Sequence, residues 1–336
     1  MSRQLYTIAF FIALSVGTVA QDIHFSQFYD APVNLNPALT GQFDGSYRLV
    51  GNYRRQWASI ANPFINSGVS VDARQPLDLS GVGAGLSIYN DRAGTGELGT
   101  LQILGSFSYA LPLNSDSTTK IVFGAQAGYN RRQVDFNQFS FDNQYVNGSY
   151  QPTVASGEVF DRSSVNYFDA HTGVMVYHQF NATHKTRAGL AFHNLLRPNV
   201  AFSEDQPDQL ARRLSLHATH EWKVTDEWHA LPRFLYMTQG PHREFTFGGD
   251  ARYVLDNRWF HYRAVYFGVY SRLVDAAILR FAVDYDAWHV GVSYDINYSS
   301  LDRASNARGG FEFSVIYLIH RLLPKRKTFK SCPDFI

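Results

Sequence analysis

Residues 288–299 read Trp288-His289-Val290-Gly291-Val292-Ser293-Tyr294-Asp295-Ile296-Asn297-Tyr298-Ser299. Val290, Val292, Tyr294, Ile296 and Tyr298 alternate with His289, Gly291, Ser293, Asp295 and Asn297, a strict period of two over ten residues. Successive side chains of a strand point to opposite faces, so one face here is apolar and aromatic and the other small or polar. The pattern recurs in 121–131, where Ile121, Phe123, Ala125, Ala127 and Tyr129 oppose Gly124, Gln126, Gly128 and Asn130. It recurs again in 244–254 (Phe245, Phe247, Gly249, Ala251 and Tyr253 against Glu244, Thr246, Gly248, Asp250 and Arg252) and in Phe311, Phe313, Val315, Tyr317 and Ile319. A sandwich strand does not need this length. A strand that crosses a bilayer needs about 9–11 residues, apolar outside, polar or small inside, with aromatic residues where the chain meets the headgroups.

Outward from that stretch, about fourteen such segments can be placed on the alternation that marks barrel strands. They are 46–57, 63–75, 80–91, 97–112, 119–132, 165–179, 184–194, 211–222, 227–239, 243–254, 262–272, 276–285, 288–299 and 309–319. The longest connections, 133–164, 195–210 and 300–308, all fall on odd positions, and short ones such as 76–79, 113–118, 180–183 and 223–226 on even ones. Barrels have short periplasmic turns and longer extracellular loops, so the parity supports the register and puts both termini in the periplasm. The expected fold is all-β: a transmembrane outer-membrane β-barrel over 46–319.

Composition agrees. Among 336 residues, 26 Phe, 20 Tyr and 5 Trp make 15% aromatics, while charged residues are only 18%. The mean hydropathy of −0.23 does not fit a helical membrane protein. Lys+Arg 30 against Asp+Glu 29 lacks the basic footprint of a nucleic-acid binder, so no nucleic-acid partner is expected. The single cysteine, Cys332, excludes an internal disulfide framework and a Cys-rich zinc site.

The N-terminus has the three parts of an export signal: Arg3, the apolar Leu5–Val16, and small residues at Thr18-Val19-Ala20. The expected division is a signal peptide at 1–20, an N-terminal segment at 21–45 that is either periplasmic or a lumen plug, the barrel, and a periplasmic tail at 320–336.

Catalytic motifs fare poorly. Gly94-Thr95-Gly96-Glu97-Leu98-Gly99 matches the dinucleotide fingerprint, but a β-like run follows it instead of a helix, so a hairpin turn is expected. The twelve histidines form no H-E-x-x-H, and His171, His193, His217, His220 and His289 read as lumen or interface residues. Asp284 and Asp286 stand two apart as if on one strand face, which suits lumen charge better than a glycosidase pair. No enzyme, cofactor or metal site is expected.

The ends are distinctive. Gln21 to Gly41 reads QDIHFSQFYDAPVNLNPALTG, and Asn36-Pro37 initiates a turn. His320 to Ile336 carries Arg321, Lys325, Arg326, Lys327 and Lys330 against Asp334, which suits an anionic periplasmic partner or a solvated tail equally.

Gln21–Gly41 closely resembles the mature N-terminus of the PorP/SprF family of Bacteroidetes outer-membrane proteins, whose opening is F-S-Q-[FY] followed by P-x-x-x-N-P-A-x-[TA]-G. Tyr53-Arg54-Arg55-Gln56-Trp57 is similar to the family's Y-R-x-Q-W, and Cys332-Pro333 to its C-terminal Cys-Pro. The resemblance implies a non-enzymatic barrel of the type IX secretion system, in some members linked to gliding motility. Its implied partners are the secretion machinery on the periplasmic side and, outside, a large surface protein bound through its C-terminal sorting domain; outer-membrane lipid surrounds it. A departure from ordinary barrels is that the last strand stops near Ile319 and the basic tail follows.

Within this expectation the outer loop 133–164 offers Phe136, Phe139, Phe141, Tyr145 and Tyr150 as partner-binding residues, since aromatics anchor interfaces; alternatively they pack the loop as a lid. Arg326, Lys327 and Cys332 are the candidates on the periplasmic tail. The other functional class is a channel or hydrophobic-substrate transporter with a FadL-like barrel, its lumen lined by Asp169, Arg252, Arg280, Asp284 and Glu312 or plugged by their ion pairs.

Overall fold

The computed structural model describes residues 23–57, 62–146, 148–157, 161–205, 207–258, 261–299 and 308–320. The segment expected to be a signal peptide and the basic tail with Arg326, Lys327 and Cys332 lie outside the described residues.

The strands run β1 (Tyr47–Gln56), β2 (Phe64–Arg74), β3 (Val82–Ala93), β4 (Leu98–Pro112), β5 (Thr119–Gln133), a short ribbon β6 (Tyr145–Val146) and β7 (Ser149–Tyr150), then β8 (Ser164–Gln179) and β9 (His184–His193). They continue as β10 (Arg213–Lys223), β11 (Trp228–Gln239), β12 (His242–Arg258), β13 (His261–Arg272), β14 (Ala276–Tyr285), β15 (Trp288–Asn297) and β16 (Arg308–Ile319). Apart from the ribbon, each strand pairs antiparallel with its neighbour, and β1 pairs with β16, so the sheet closes into a barrel of fourteen strands with no free edge. Among the described residues no helix is long and apolar enough to cross a membrane.

The alternation puts the expected faces where barrel physics needs them. On β5, Phe123 is exposed at the outer wall while Val122, Gln126 and Asn130 are buried inside. On β15, Tyr294 and Ile296 face out and Ser293, Asp295 and Asn297 are buried. Trp222, Trp228, Tyr253 and Trp288 lie on the outer wall towards the end with short connections, with Trp228 stacked beside Tyr253 and Trp288 beside Tyr317. That band is the aromatic girdle of one membrane interface.

Strand ends depart from expectation where the alternation breaks. β12 continues to Arg258, four residues past the expected stop, through a register shift between Val254 and Asp256. A bulge inserts one residue and flips the faces, which hides the continuation from a period-two test. Asp284 and Asp286 do not form a pair: Asp286 sits in the β14–β15 turn with φ 54°, 3.5 Å from His261, whereas Asp284 accepts from Tyr266 inside the barrel. The motif at 94–99 occupies the β3–β4 hairpin turn, with Gly94 at φ +69°.

The outer wall gives a direct test of its solvent. Phe267 stands mid-strand on β13 and is 59% exposed. Phe267→Arg is expected to cost about 2–4 kcal/mol of bilayer-folded stability, read by urea titration in lipid vesicles. The inward Ser293→Ala should change it by less than about 1 kcal/mol, as for a hydroxyl exchange without loss of packing.

Candidate functional site

The N-terminal segment does not lie beside the barrel; it runs through it. Pro32 opens a single helical turn at Pro32–Leu35 and Pro37 a 3-10 turn at Pro37–Leu39, each ring presetting φ where a missing N–H costs nothing. The Asn36 side chain accepts from Ala38 N at 2.8 Å and caps the second turn. This compact path leaves most of its backbone groups without regular partners, and the barrel's inward side chains supply them.

Glu312 on β16 accepts from Ser26 N at 2.7 Å and from Gln27 N at 2.8 Å, one carboxylate oxygen for each. Ser26 Oγ donates to Asp295 at 2.8 Å and accepts from Arg272 at 2.7 Å. Arg54 reaches the His24 carbonyl at 2.8 Å and Arg213 the Ile23 carbonyl at 3.1 Å. Further along, Arg280 holds Asp30 at 2.8 Å, Ser314 donates to the same carboxylate at 3.0 Å, and Asn52 donates to the Asp30 carbonyl. Asn36 Nδ2 meets the Val174 carbonyl at 3.2 Å and His217 Nε2 at 3.0 Å. Ser108 donates to the Thr40 carbonyl at 2.6 Å, and Gly41 N donates to Asp72 at 2.7 Å. Bonds to charged groups in a low-dielectric interior are the stronger kind, so the segment is clamped along its length.

Apolar contacts complete the fit. Phe28, Leu35, Ala38 and Leu39 pack with Val122, Met175 and Leu235 of the wall, and Ile23, Phe25 and Ala31 with Tyr89 and Leu104. Small inward residues make room: a Cβ at Gly124 would lie 2.2 Å from Ala38 N, and one at Gly173 2.0 Å from Asn36 Oδ1. Gly41 turns with φ +69° against Gly83, whose Cα a Gly41 Cβ would approach to 2.7 Å.

The segment crosses the lumen from end to end. Ser46 N bonds Ile319 O at the end with short connections, whereas Ile23 and His24 lie by Arg213 and Arg272, at the first residue of β10 and the last of β13. There, below the long connections, a cavity of about 240 Å³ opens, lined by His24, Trp57, Arg213, Met237, Glu244 and Arg272.

The lumen charges form a network around the segment. Arg280 also bonds Asp250 at 3.2 Å and Gln27 at 3.2 Å, and its guanidinium lies over the Tyr29 and Tyr266 rings. Arg54 bridges Asp295 at 3.0 Å and Glu312 at 3.7 Å. Arg233 pairs with Asp250, and Arg252 with Glu221. Asp30 is buried and meets Arg280 at 2.8 Å, with His289 at 3.5 Å. Asp30→Asn should raise protease access to the segment at neutral pH, because it removes the carboxylate that Arg280 holds.

The residues singled out in the sequence separate into three groups. Phe136, Phe139 and Phe141 form an aromatic chain, with Phe136 edge-on to Phe202 at 5.9 Å and the Phe139 ring over Gly96, while Phe139 itself stays exposed. Tyr145 and Tyr150 pair across the β6–β7 ribbon with rings 5.6 Å apart, and both are exposed. Of the expected lumen charges, Arg280 and Glu312 grip the N-terminal segment, whereas Asp169 accepts from Leu196 N at 3.2 Å beneath the β9–β10 connection. The sequence did not reveal that Arg54, Arg213, Arg272, Asp72 and Asp295 belong to the same clamp. The available signal was a set of inward Arg and acidic residues on strands that also carry inward glycines.

The residues that carry the family signature are those that hold the segment. Phe25, Ser26 and Gln27, then Asn36 to Gly41, and Arg54 on β1 make the contacts just described. The family model for the type IX secretion system membrane protein PorP/SprF matches residues 18–317. The chain belongs to the PorP/SprF family. Family and fold together place it in the outer membrane.

Among solved structures, the Ralstonia pickettii toluene transporter TbuX is similar in fold, with TM-score 0.51 and 12% identity over 87% of this chain and 94% of that one. The CymD monoaromatic hydrocarbon channel gives TM-score 0.50 and 11% identity over 87% and 93%. At such identity the likeness is one of fold alone. No curated protein matches the sequence.

Proposed function

We propose that this PorP/SprF protein is a closed, non-catalytic barrel that works with the type IX machinery at its short-connection, periplasmic end. At its long-connection, extracellular end it holds a secreted surface protein through that protein's C-terminal sorting domain. The orientation rests on the short-turn, long-loop asymmetry of outer-membrane barrels. The observation that carries the reading is the lumen segment. A pore for passive diffusion does not fill its bore with a chain clamped by buried Arg–carboxylate pairs such as Arg280–Asp30 and Arg54–Asp295. Function then moves to the rims, where the loop with the exposed Tyr145 and Tyr150 stands over the barrel. The aromatic chain Phe136–Phe139–Phe141 ties the same loop to Phe202 and to Gly96 of the β3–β4 turn.

A route for hydrophobic substrates finds less support in the mouth cavity. Its lining includes His24, Arg213, Glu244 and Arg272, side chains that an apolar solute would leave unsatisfied.

Affinity purification of the tagged protein from native outer membrane in mild detergent, followed by mass spectrometry, tests the proposal. A large exported protein with a C-terminal sorting domain is the expected companion, lost when residues 136–160 are deleted from a barrel that still assembles. A barrel that purifies alone, or keeps its companion after the deletion, contradicts the assignment of the outer rim.

A further inference from the structure

The outer wall of β5, β8, β9 and β10 carries a hydrogen-bonded row of polar side chains beside the aromatic girdle. Thr119, His178, Thr186 and His220 are register partners in succession across these four strands. They face outward. His178 follows exposed Val176 by two residues, and His220 lies two before exposed Trp222. His184 is the cross-strand partner of Trp222, with which its ring stacks at 5.8 Å. Trp222 belongs to the aromatic girdle, so the row lies at headgroup depth, with exposed Phe180 and Val224 two residues beyond His178 and Trp222.

The hydrogen bonds within the row are ordered. Thr119 Oγ1 meets His178 Nδ1 at 2.8 Å and Thr186 Oγ1 meets His220 Nδ1 at 2.7 Å. His220 Nε2 lies 3.1 Å from His184 Nδ1. A neutral imidazole has one donor and one acceptor nitrogen, so this chain has two proton arrangements. In one, Thr186 donates to His220, His220 donates to His184, and His184 Nε2–H is left as a donor. An anion beside His184 selects that arrangement, and Nε2 of His178 offers a second donor on the same wall. Against hydrocarbon alone these imidazoles would be costly, and a neighbouring acceptor removes the cost.

We infer that His178, His184 and His220 form a binding site for the phosphodiester of a diacyl phospholipid, with Trp222, Phe180 and Val224 taking its glycerol and upper acyl region. The lipid is thereby held on one quarter of the wall at the short-connection rim.

The test is native mass spectrometry of the full-length protein in detergent, titrated with palmitoyl-oleoyl phosphatidylglycerol and, separately, with inorganic phosphate. Wild type should retain one phospholipid, and the double variant His184→Phe/His220→Phe should lower the apparent affinity about tenfold. His261→Phe, an exposed histidine on the same rim at β13, should leave it unchanged. Thr186→Val, which removes one end of the chain without altering a ring, should give an intermediate loss. Circular dichroism and heat-modifiable gel migration establish that each variant is folded, and the Thr186 variant carries the test if the double variant is not. Equal lipid retention in wild type and the folded variants overturns the site. Phosphate binding as tightly as the lipid overturns its assignment to a phospholipid.

Discussion

Arg280→Met is expected to destabilise the barrel by about 3–5 kcal/mol, the cost of removing one partner from a buried ion pair. Arg280 is 1% exposed and serves Asp30 and Asp250 at once, so the substitution takes a cation from two buried carboxylates, leaving Asp250 to Arg233 and Asp30 to Ser314 and His289. It also removes one of the two cations over Tyr29 and the bond to Gln27, both on the lumen segment. Arg280→Lys keeps the charge but not the planar fork that reaches two acids, and should fall between. Urea unfolding in detergent reads the stability, and cleavage near residue 28 by an added protease reads release of the segment. Wild-type values for both in the Met variant would mean that the Arg280 ion pairs do not hold the segment.

Gly124→Val should have an effect of similar size by the opposite route, overfilling. The first atom of any side chain there would lie 2.2 Å from Ala38 N and 2.3 Å from Pro37 C, and both obstacles are backbone. Overpacking commonly costs about 1–3 kcal/mol when side chains can shift, and more is expected where a proline-held turn must move. The turn at 36–39 would leave the wall, breaking the Asn36 bonds to Val174 and His217. Gly105→Ala is the control, since its Cβ meets nothing closer than Ala127 O at 3.9 Å. Protease access at residues 36–39 should rise in the first variant and stay at the wild-type level in the second.

The difference between these residues and the strands explains what the sequence discloses. The barrel was legible because lipid and lumen impose opposite demands on alternate residues, as in Val290 to Asn297, and the demand is local. Legibility failed where a local irregularity intervenes, at the Val254–Asp256 register shift and at Asp286, which a left-handed turn removes from the strand face. The lumen segment follows neither period, because its partners lie across the whole chain: Ser26 and Glu312 are separated by 286 positions. Its signature residues were recognisable from resemblance alone, and the structure supplies their physical reason. Asn36 caps a turn and bonds β8, β9 and β10, Ala38 brings its backbone against Gly124, and Gly41 adopts a positive φ against Gly83. The aromatic loop residues were visible as a group, but the packing of the phenylalanines on Phe202 and Gly96, apart from the tyrosine pair of the ribbon, depends on residues distant in sequence.

The central claim is that residues 23–41 close the bore. Planar-bilayer recording of the purified protein beside a variant lacking residues 23–39 tests it most directly. The account predicts an electrically silent wild type and stable open-channel steps in the deletion variant, whose inward arginines and carboxylates are then hydrated. Steady conductance in the wild type, unchanged by the deletion, would contradict it.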